Sequence, residues 1–431
     1  MNKSMSHKII AGAVLTSALL SGQVMATNGY LAHGYGPAAK SMAGACVAMV
    51  ESAMCAAHNP ATLVHLDDRW EVGAALFSPD RGFQANADFM SPPFASVPPG
   101  EYSSSNDFFL IPHIAYSRNL DENTNLGFIF GGQGGMNTEY NSAVWRNFTP
   151  PGAPPMFQGS SPTGVDLIQA FLGVSYGRKL NDRHAVAVMP VIAIQRFEAY
   201  GLEPFRGISI APDKVTNNGY DWSWGGGLRV GWLWQATDDL NIGASYQTRL
   251  WMTDFDDYAG LFAEGGGFDM PPVLDLGFAY DFNADWTLSV NYQHIWFEEI
   301  DTLGNPADLL MVPGVPVLGT DDGLGFGWKD QDVIKVGLRW KYSPDLTLRA
   351  GYSHGTEVVP GNQALFNVLA PAVVQDHFTL GFSKKLNSDS DFHLSFMYAP
   401  EKKVHGQNPN TGPQTGHLYM SQWEVEVGWK F

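Results

Sequence analysis

Residues 419–431 alternate strictly between two faces. Tyr419, Ser421, Trp423, Val425, Val427, Trp429 and Phe431 take one side, and Met420, Gln422, Glu424, Glu426, Gly428 and Lys430 the other. One such strand suits a soluble sandwich as well as a membrane wall, so the constraint comes from repetition. Ile334, Val336, Leu338, Trp340 and Tyr342 alternate with Lys335, Gly337, Arg339 and Lys341, and the turn Ser343-Pro344-Asp345 leads into Leu346, Leu348, Ala350 and Tyr352 on the next strand. Leu274 to Phe282 and Trp286 to Tyr292 repeat the plan around Asn283-Ala284-Asp285, and short turns recur at Leu120 to Asn123, Asn181 to Arg183, Thr237 to Asp239 and Asn387 to Asp391. Between these hairpins lie long irregular segments near 80–106, 136–164, 199–218, 253–270, 299–328, 358–374 and 403–417. Strict alternation of short turns with long loops is what a closed transmembrane barrel produces, with tight turns at one end and long loops at the other. A sandwich has no reason to sort its loops by end. The expectation is an all-β antiparallel barrel of about 14 strands over residues 69–431, with Tyr280, Trp286, Trp340 and Tyr342 in an aromatic girdle near the short turns.

The first 26 residues stand apart. Lys3 and Lys8 precede an apolar run from Ile9 to Leu20, and Val24-Met25-Ala26 offers a small residue for cleavage, so residues 1–26 read as a secretory signal peptide. The run is shorter than the roughly 20 residues a spanning helix needs, and the rest of the chain has nothing longer, so a membrane must be crossed by strands. The 43 acidic residues outnumber 25 basic ones, two of which fall in the leader, and this argues against nucleic acid as a partner.

Residues 27–68 do not alternate; they are small, rich in Gly and Ala, and too few to build a core of their own. Inside a tube lined by polar groups they fit as a plug. This stretch holds the chain's two cysteines, Cys46 and Cys55, which suit either a disulfide closing a short loop or a pair of small buried thiols. With no Cys-x-x-Cys and no nearby His pair, neither a metal nor another cofactor is expected.

Glycines followed by Ala43-Gly44-Ala45, Ala48 and Asn59-Pro60-Ala61 open the mature chain, and a second set lies in its C-terminal half. That set runs through Trp328-Lys329-Asp330, Val333 to Tyr342, Leu346 to Tyr352, Asn367-Val368-Leu369-Ala370-Pro371-Ala372 and His377 to Gly381. In this order the chain resembles the FadL/TodX family of outer-membrane transporters across nearly its whole mature length. The resemblance implies a bacterial outer-membrane barrel with an N-terminal hatch that includes Asn59, Pro60 and Ala61. It also implies passage of long-chain fatty acids or other hydrophobic compounds from an external groove to an internal pocket, and exit through a gap at a kinked third strand. A terminal aromatic such as Phe431 is similar to the signature read by the barrel assembly machinery. The cysteine pair departs from the family pattern, and if bonded it would limit rearrangement of the hatch.

Several residues are candidates for these roles. Ala185 to Ile194 leave no polar side on their strand, and Phe171 and Leu233 join the inward parity of theirs, so the lumen suits a greasy ligand or packing against the hatch. Arg229, Arg249, Lys335 and Arg349 point inward by parity and could meet a ligand carboxylate, although inward Asp275, Asp281, Glu424 and Glu426 could balance them instead. Two loops are unusually apolar: Leu309, Leu310 and Met311 in one, Leu365, Phe366 and Leu369 in the other. They suit capture of ligand or closure of the barrel mouth. Gly131, Gly132, Gly134 and Gly135 end the third strand and mark a wall opening or merely the start of a loop, and Pro190 in the fifth removes a ladder bond. His393-Leu394-Ser395 has the spacing of outer-membrane phospholipases, but Phe392, Leu394 and Phe396 claim the lipid face and turn His393 and Ser395 inward, away from a lipid substrate. The remaining alternative, a general porin for small polar solutes, fits poorly with a plug. A monomer in contact with outer-membrane lipid and lipopolysaccharide completes the expectation.

Overall fold

The computed structural model describes residues 27–86, 97–145, 158–307, 317–408 and 412–431; the expected leader, residues 1–26, lies outside them. Fourteen long strands form one antiparallel sheet. In chain order they are β1 (Arg69–Ala85), β2 (Phe109–Asn119), β3 (Thr124–Tyr140), β4 (Thr163–Lys179), β5 (His184–Tyr200), β6 (Asp221–Gln235) and β7 (Leu240–Gln247). The second half comprises β8 (Val273–Asp281), β9 (Trp286–Ile295), β10 (Gln331–Ser343), β11 (Leu346–Gly355), β12 (Asp376–Lys385), β13 (Asp391–Asn408) and β14 (Gly412–Lys430). Each pairs with the next, and β14 returns to β1 from His417 opposite Gln84 to Lys430 opposite Glu71, which closes the barrel. Four short pieces join the same sheet: Thr27–Asn28, Leu31–Ala32, Gly100–Ser103 and Trp251–Met252.

The alternation read from sequence sorts the side chains as a membrane wall requires. Outward positions are apolar yet open, with Leu380 60% and Ile192 59% exposed, whereas inward Gln422, Glu424 and Glu426 are buried. At the short-turn end Trp286 stacks on Trp340 at 4.9 Å and Trp340 meets Tyr342 edge-on at 5.0 Å, the geometry of an interfacial girdle. The short turns close on side-chain caps. Asn283 Oδ1 accepts from the N–H groups of Asp285 and Trp286, and Asn181 and Asn387 do the same two and three residues ahead.

One expected loop is a hairpin. The segment near 403–417 continues the ladder of β13 and β14, with His405 opposite His417 and Asn408 opposite Gly412. Glu401, Lys402, Lys403 and Gln407 are polar on both parities there. A strand that leaves the bilayer loses the apolar face that makes it visible in sequence.

The ladder between β2 and β3 is incomplete. Pairing runs only from Asn119 opposite Asn125 to Ile114 opposite Phe130, so Phe109 to His113 and Gly131 to Tyr140 have no partners in each other. On its other side β3 stays paired with β4, with a bulge that leaves Gln133 without a partner between Gly132 and Gly134. Beyond the bulge β3 is buried on both faces through Thr138.

Residues 28–49 are buried throughout and lie within the barrel. The interior segment contains the short helix Pro37–Lys40 and two 3-10 turns, Ala53–Ala57 and Pro60–His65. Inward glycines let it press on the wall. A Cβ at Gly127, Gly177, Gly231, Gly243, Gly337 or Gly381, on six different strands, would stand 2.1–2.5 Å from a hatch atom.

Candidate functional site

The interior segment is seated by polar contacts on opposite sides of the barrel. Asn59 caps the second 3-10 turn by accepting from Ala61 N–H at 3.1 Å, while its amide donates to the carbonyls of Val47 at 2.8 Å and of Trp232 in β6 at 3.0 Å. Pro60 takes the first position of that turn, where a missing N–H costs nothing. Lys40 Nζ lies 2.7 Å from Glu424 and 3.2 Å from Glu426 of β14, and Glu426 also meets His113 of β2 at 2.7 Å. Farther round the wall Glu51 receives Arg339 of β10 at 2.7 Å and is in contact with Arg349 of β11. Cys46 and Cys55 are disulfide-bonded with Cα atoms 5.5 Å apart, closing the loop that carries Glu51.

The inward cations singled out from the sequence are engaged by the chain itself. Arg229 donates to the carbonyl of His58 at 2.9 Å and to Gln247 at 2.7 Å, and lies 3.3 Å from Asp275. Arg349 bonds Ser383 at 2.7 Å besides its contact with Glu51. Arg249, in the loop after β7, meets Asp269 at 2.5 Å and Glu264 at 3.6 Å. Burial and the nearby Asp301 push the Glu264 carboxyl above its ordinary range, against the pull of Arg249. Lys335 donates to the carbonyl of His33 at 3.0 Å.

Among the described residues, three small cavities lie along the interior. The first is at the long-loop end and is lined by Val165, Phe197, Phe262, Leu324, Phe366 and Leu369 among others. Phe366 and Leu369 therefore face inward, while Leu309, Leu310, Met311 and the side chain of Leu365 lie outside the described residues. Asn367 holds this loop: its Oδ1 accepts from Trp328 Nε1 at 2.6 Å, and its amide donates to the carbonyls of Phe326 and Gln363. The far end of β3 grips it too, through Thr138 to Leu369 O at 2.8 Å and Tyr140 to Val368 O at 2.6 Å.

Just past Leu369, Ala370, Pro371 and Ala372 form one wall of the second cavity, which Tyr30, Arg81, Met136 and Met420 help to enclose. The third sits at the break in the ladder. Ile111, Pro112 and His113 of β2 border it on one side, Gly131 and Gly132 of β3 on the other, with Lys40 and Glu426 at its floor. Leu31 pairs with Gly134, and Gly135 N–H donates to Tyr30 O at 3.1 Å, so the interior segment takes up the edge that β2 leaves open. A Cβ at Gly134 would stand 2.5 Å from that carbonyl oxygen. Tyr30 and Arg81 were not singled out in the sequence; both sit among ordinary polar and aromatic neighbours that give no local signal. His393 and Ser395 face inward, where His393 is bonded to Ser383.

Comparison with known proteins accords with this geometry. A family model described as outer membrane protein transport protein (OMPP1/FadL/TodX) matches residues 207–427, just over half of the chain. No curated protein sequence matches. The P. putida toluene transporter TodX superposes with a TM-score of 0.67 at 19% identity, covering 92% of this chain and 98% of that one. The Ralstonia pickettii toluene transporter TbuX gives 0.63 at 16% identity over 92% and 98%. A Pseudomonas aeruginosa FadL homologue gives 0.66 at 14% identity over 94% and 99%. At these identities the structural likeness concerns the fold.

Proposed function

The chain belongs to the OMPP1/FadL/TodX family of outer-membrane transport proteins, channels rather than enzymes, and from that premise we propose that it passes hydrophobic small molecules along a dry route through the three cavities. Ligand is captured in the apolar pocket beneath the Phe366 and Leu369 loop. It then passes the Leu369 to Ala372 partition and leaves sideways between β2 and β3. The observation that carries this reading is the break in the β2–β3 ladder with a cavity directly behind it. A wall opening at that depth gives onto hydrocarbon, where an apolar ligand is at home and an ion is not. Residues 27–68 act as the hatch, following a leader over residues 1–26, and the apolar outer face of a single barrel contacts outer-membrane lipid and lipopolysaccharide. A porin for polar solutes needs a wet lumen, whereas this one is filled by the interior segment.

Two of the structural relatives are toluene transporters and a third is a FadL homologue, so monoaromatic hydrocarbons and long-chain fatty acids are the classes to test. A strain deficient in uptake of the compound should gain it when it carries this gene. The purified barrel in planar bilayers should show little steady ion conductance, and removal of residues 27–61 should raise it. Large conductance in the intact protein with no gain in hydrophobic uptake would overturn the reading in favour of a porin.

A further inference from the structure

In the outer part of the β13 and β14 hairpin, Val404 pairs with Leu418 and both are buried. The next rung sets His405 directly opposite His417, on the other side of the ladder. Directly opposed residues of an antiparallel pair hold their Cβ atoms about 4.5–5.5 Å apart. Here the two imidazole rings approach to 5.3 Å between centroids, tilted by 54°. His405 is exposed and has no hydrogen-bond or ion-pair partner for its ring among the described residues, so the pair opens to solvent on that side. The separation is that of two ligands on one tetrahedral ion. Metal–nitrogen bonds of about 2.0–2.1 Å put each imidazole centroid about 3.2 Å from the ion, and two such vectors at the tetrahedral angle end about 5.2 Å apart.

Two features of the surroundings favour a cation at this rung. The register slips on both sides of it, between Ala399 and Lys402 and between His405 and Gln407, so a short stretch of ladder stands between irregularities of the kind that re-aim side chains. The local field is also acidic. Asp80, Glu101 and Glu401 all act on Tyr419, the ring next to His417, and Lys403 is tied to Glu401 at 3.3 Å. We propose that His405 and His417 bind a divalent transition cation of borderline softness, with Zn²⁺ as the type. Imidazole nitrogen selects such ions over Mg²⁺ and Ca²⁺, which seek oxygen. No third His, Cys, Asp or Glu completes the set among the described residues, so water fills the rest of the shell. The bound ion cross-links the two strands between the slips and fixes the register of the outer hairpin.

The test titrates zinc chloride into the detergent-solubilised full-length barrel by calorimetry, in a preparation without a histidine tag. One ion per chain should bind with a Kd of roughly 1–100 µM, the strength expected of two of the four ligands in a complete structural zinc site. His405→Ala and His417→Ala should each weaken binding about tenfold or more. His354→Ala, which removes an exposed histidine paired with Asp376, should leave it unchanged. Amide exchange at Val404 and Leu418 should slow when zinc is added to the native protein. No saturable binding below about 1 mM overturns the proposal, and so does binding retained in both hairpin variants. Displacement of zinc by excess magnesium overturns it as well, since the ion would then sit on the surrounding carboxylates. Exchange at Val404 and Leu418 indifferent to bound zinc defeats the cross-link.

Discussion

A Cβ on Gly231 would stand 2.1 Å from Asn59 Oδ1, and the neighbouring carbonyl of Trp232 accepts from the same Asn59 side chain at 3.0 Å. Wall strand and hatch motif are shaped to each other at this point. Gly231→Ala should therefore displace the hatch without opening the barrel. Asn59→Ala, which leaves the buried carbonyls of Val47 and Trp232 without their donor, should cost about 1–3 kcal/mol. In both variants steady conductance should rise while the heat-modifiable band is retained. Conductance unchanged in both would show that Asn59 does not hold the hatch shut.

Gly131 offers a gentler probe of the lateral route. A Cβ there would lie 3.5 Å from Phe171 and 3.7 Å from Met54, ordinary contact distances, so Gly131→Val fills the third cavity without a backbone clash. Hydrophobic uptake should fall several-fold with conductance unaltered. Leu380→Val, on the open outer face of β12, should leave uptake as it was. Normal uptake in Gly131→Val would rule out passage at this point.

Lys40→Met would leave Glu424 and Glu426 buried side by side without their cation. Removing one partner of a buried ionic cluster costs about 3–5 kcal/mol, and the urea midpoint of the gel shift should drop accordingly. The triple variant Lys40→Met, Glu424→Gln, Glu426→Gln should regain most of the loss. Equal midpoints for the native protein and Lys40→Met would mean the cluster contributes nothing.

Outside the membrane, Glu203 joins two long loops. It accepts from Ser160 N–H at 2.9 Å, from the Ser160 hydroxyl and from Asn217 at 2.7 Å. Burial alone would raise its pKa, but these bonds outweigh burial and hold the carboxyl below its ordinary range. A carboxyl depressed by folding stabilises the fold above its unfolded value of about 4.3 and stops doing so as pH falls through the lower folded value. Amide exchange at Ser160 should be slow at neutral pH and accelerate only below about pH 4. In Glu203→Gln it should be fast at every pH.

The barrel was legible because a strand with lipid on one side must alternate, and because loop length sorts by end. Where lipid is absent the signal fades, which is why the outer parts of β13 and β14 read as a loop. The inward cations were found by parity, but parity cannot say what stands opposite. Arg349 meets Glu51 of the hatch, a residue nearly three hundred positions away in sequence. The inward glycines fall on the polar parity, as with Gly337 and Gly351. Their role as clearance for Met42 needs the hatch in place.

The closure of β14 on β1 bears on chronology. The interior segment immediately precedes β1, yet it touches β6, β10, β11, β12 and β14, which are synthesised long after it. Contacts with so many strands favour an order in which the segment rests against the nascent sheet while the seam from Glu71 to Gln84 is still unzipped, so that a curled sheet closes around its own cork.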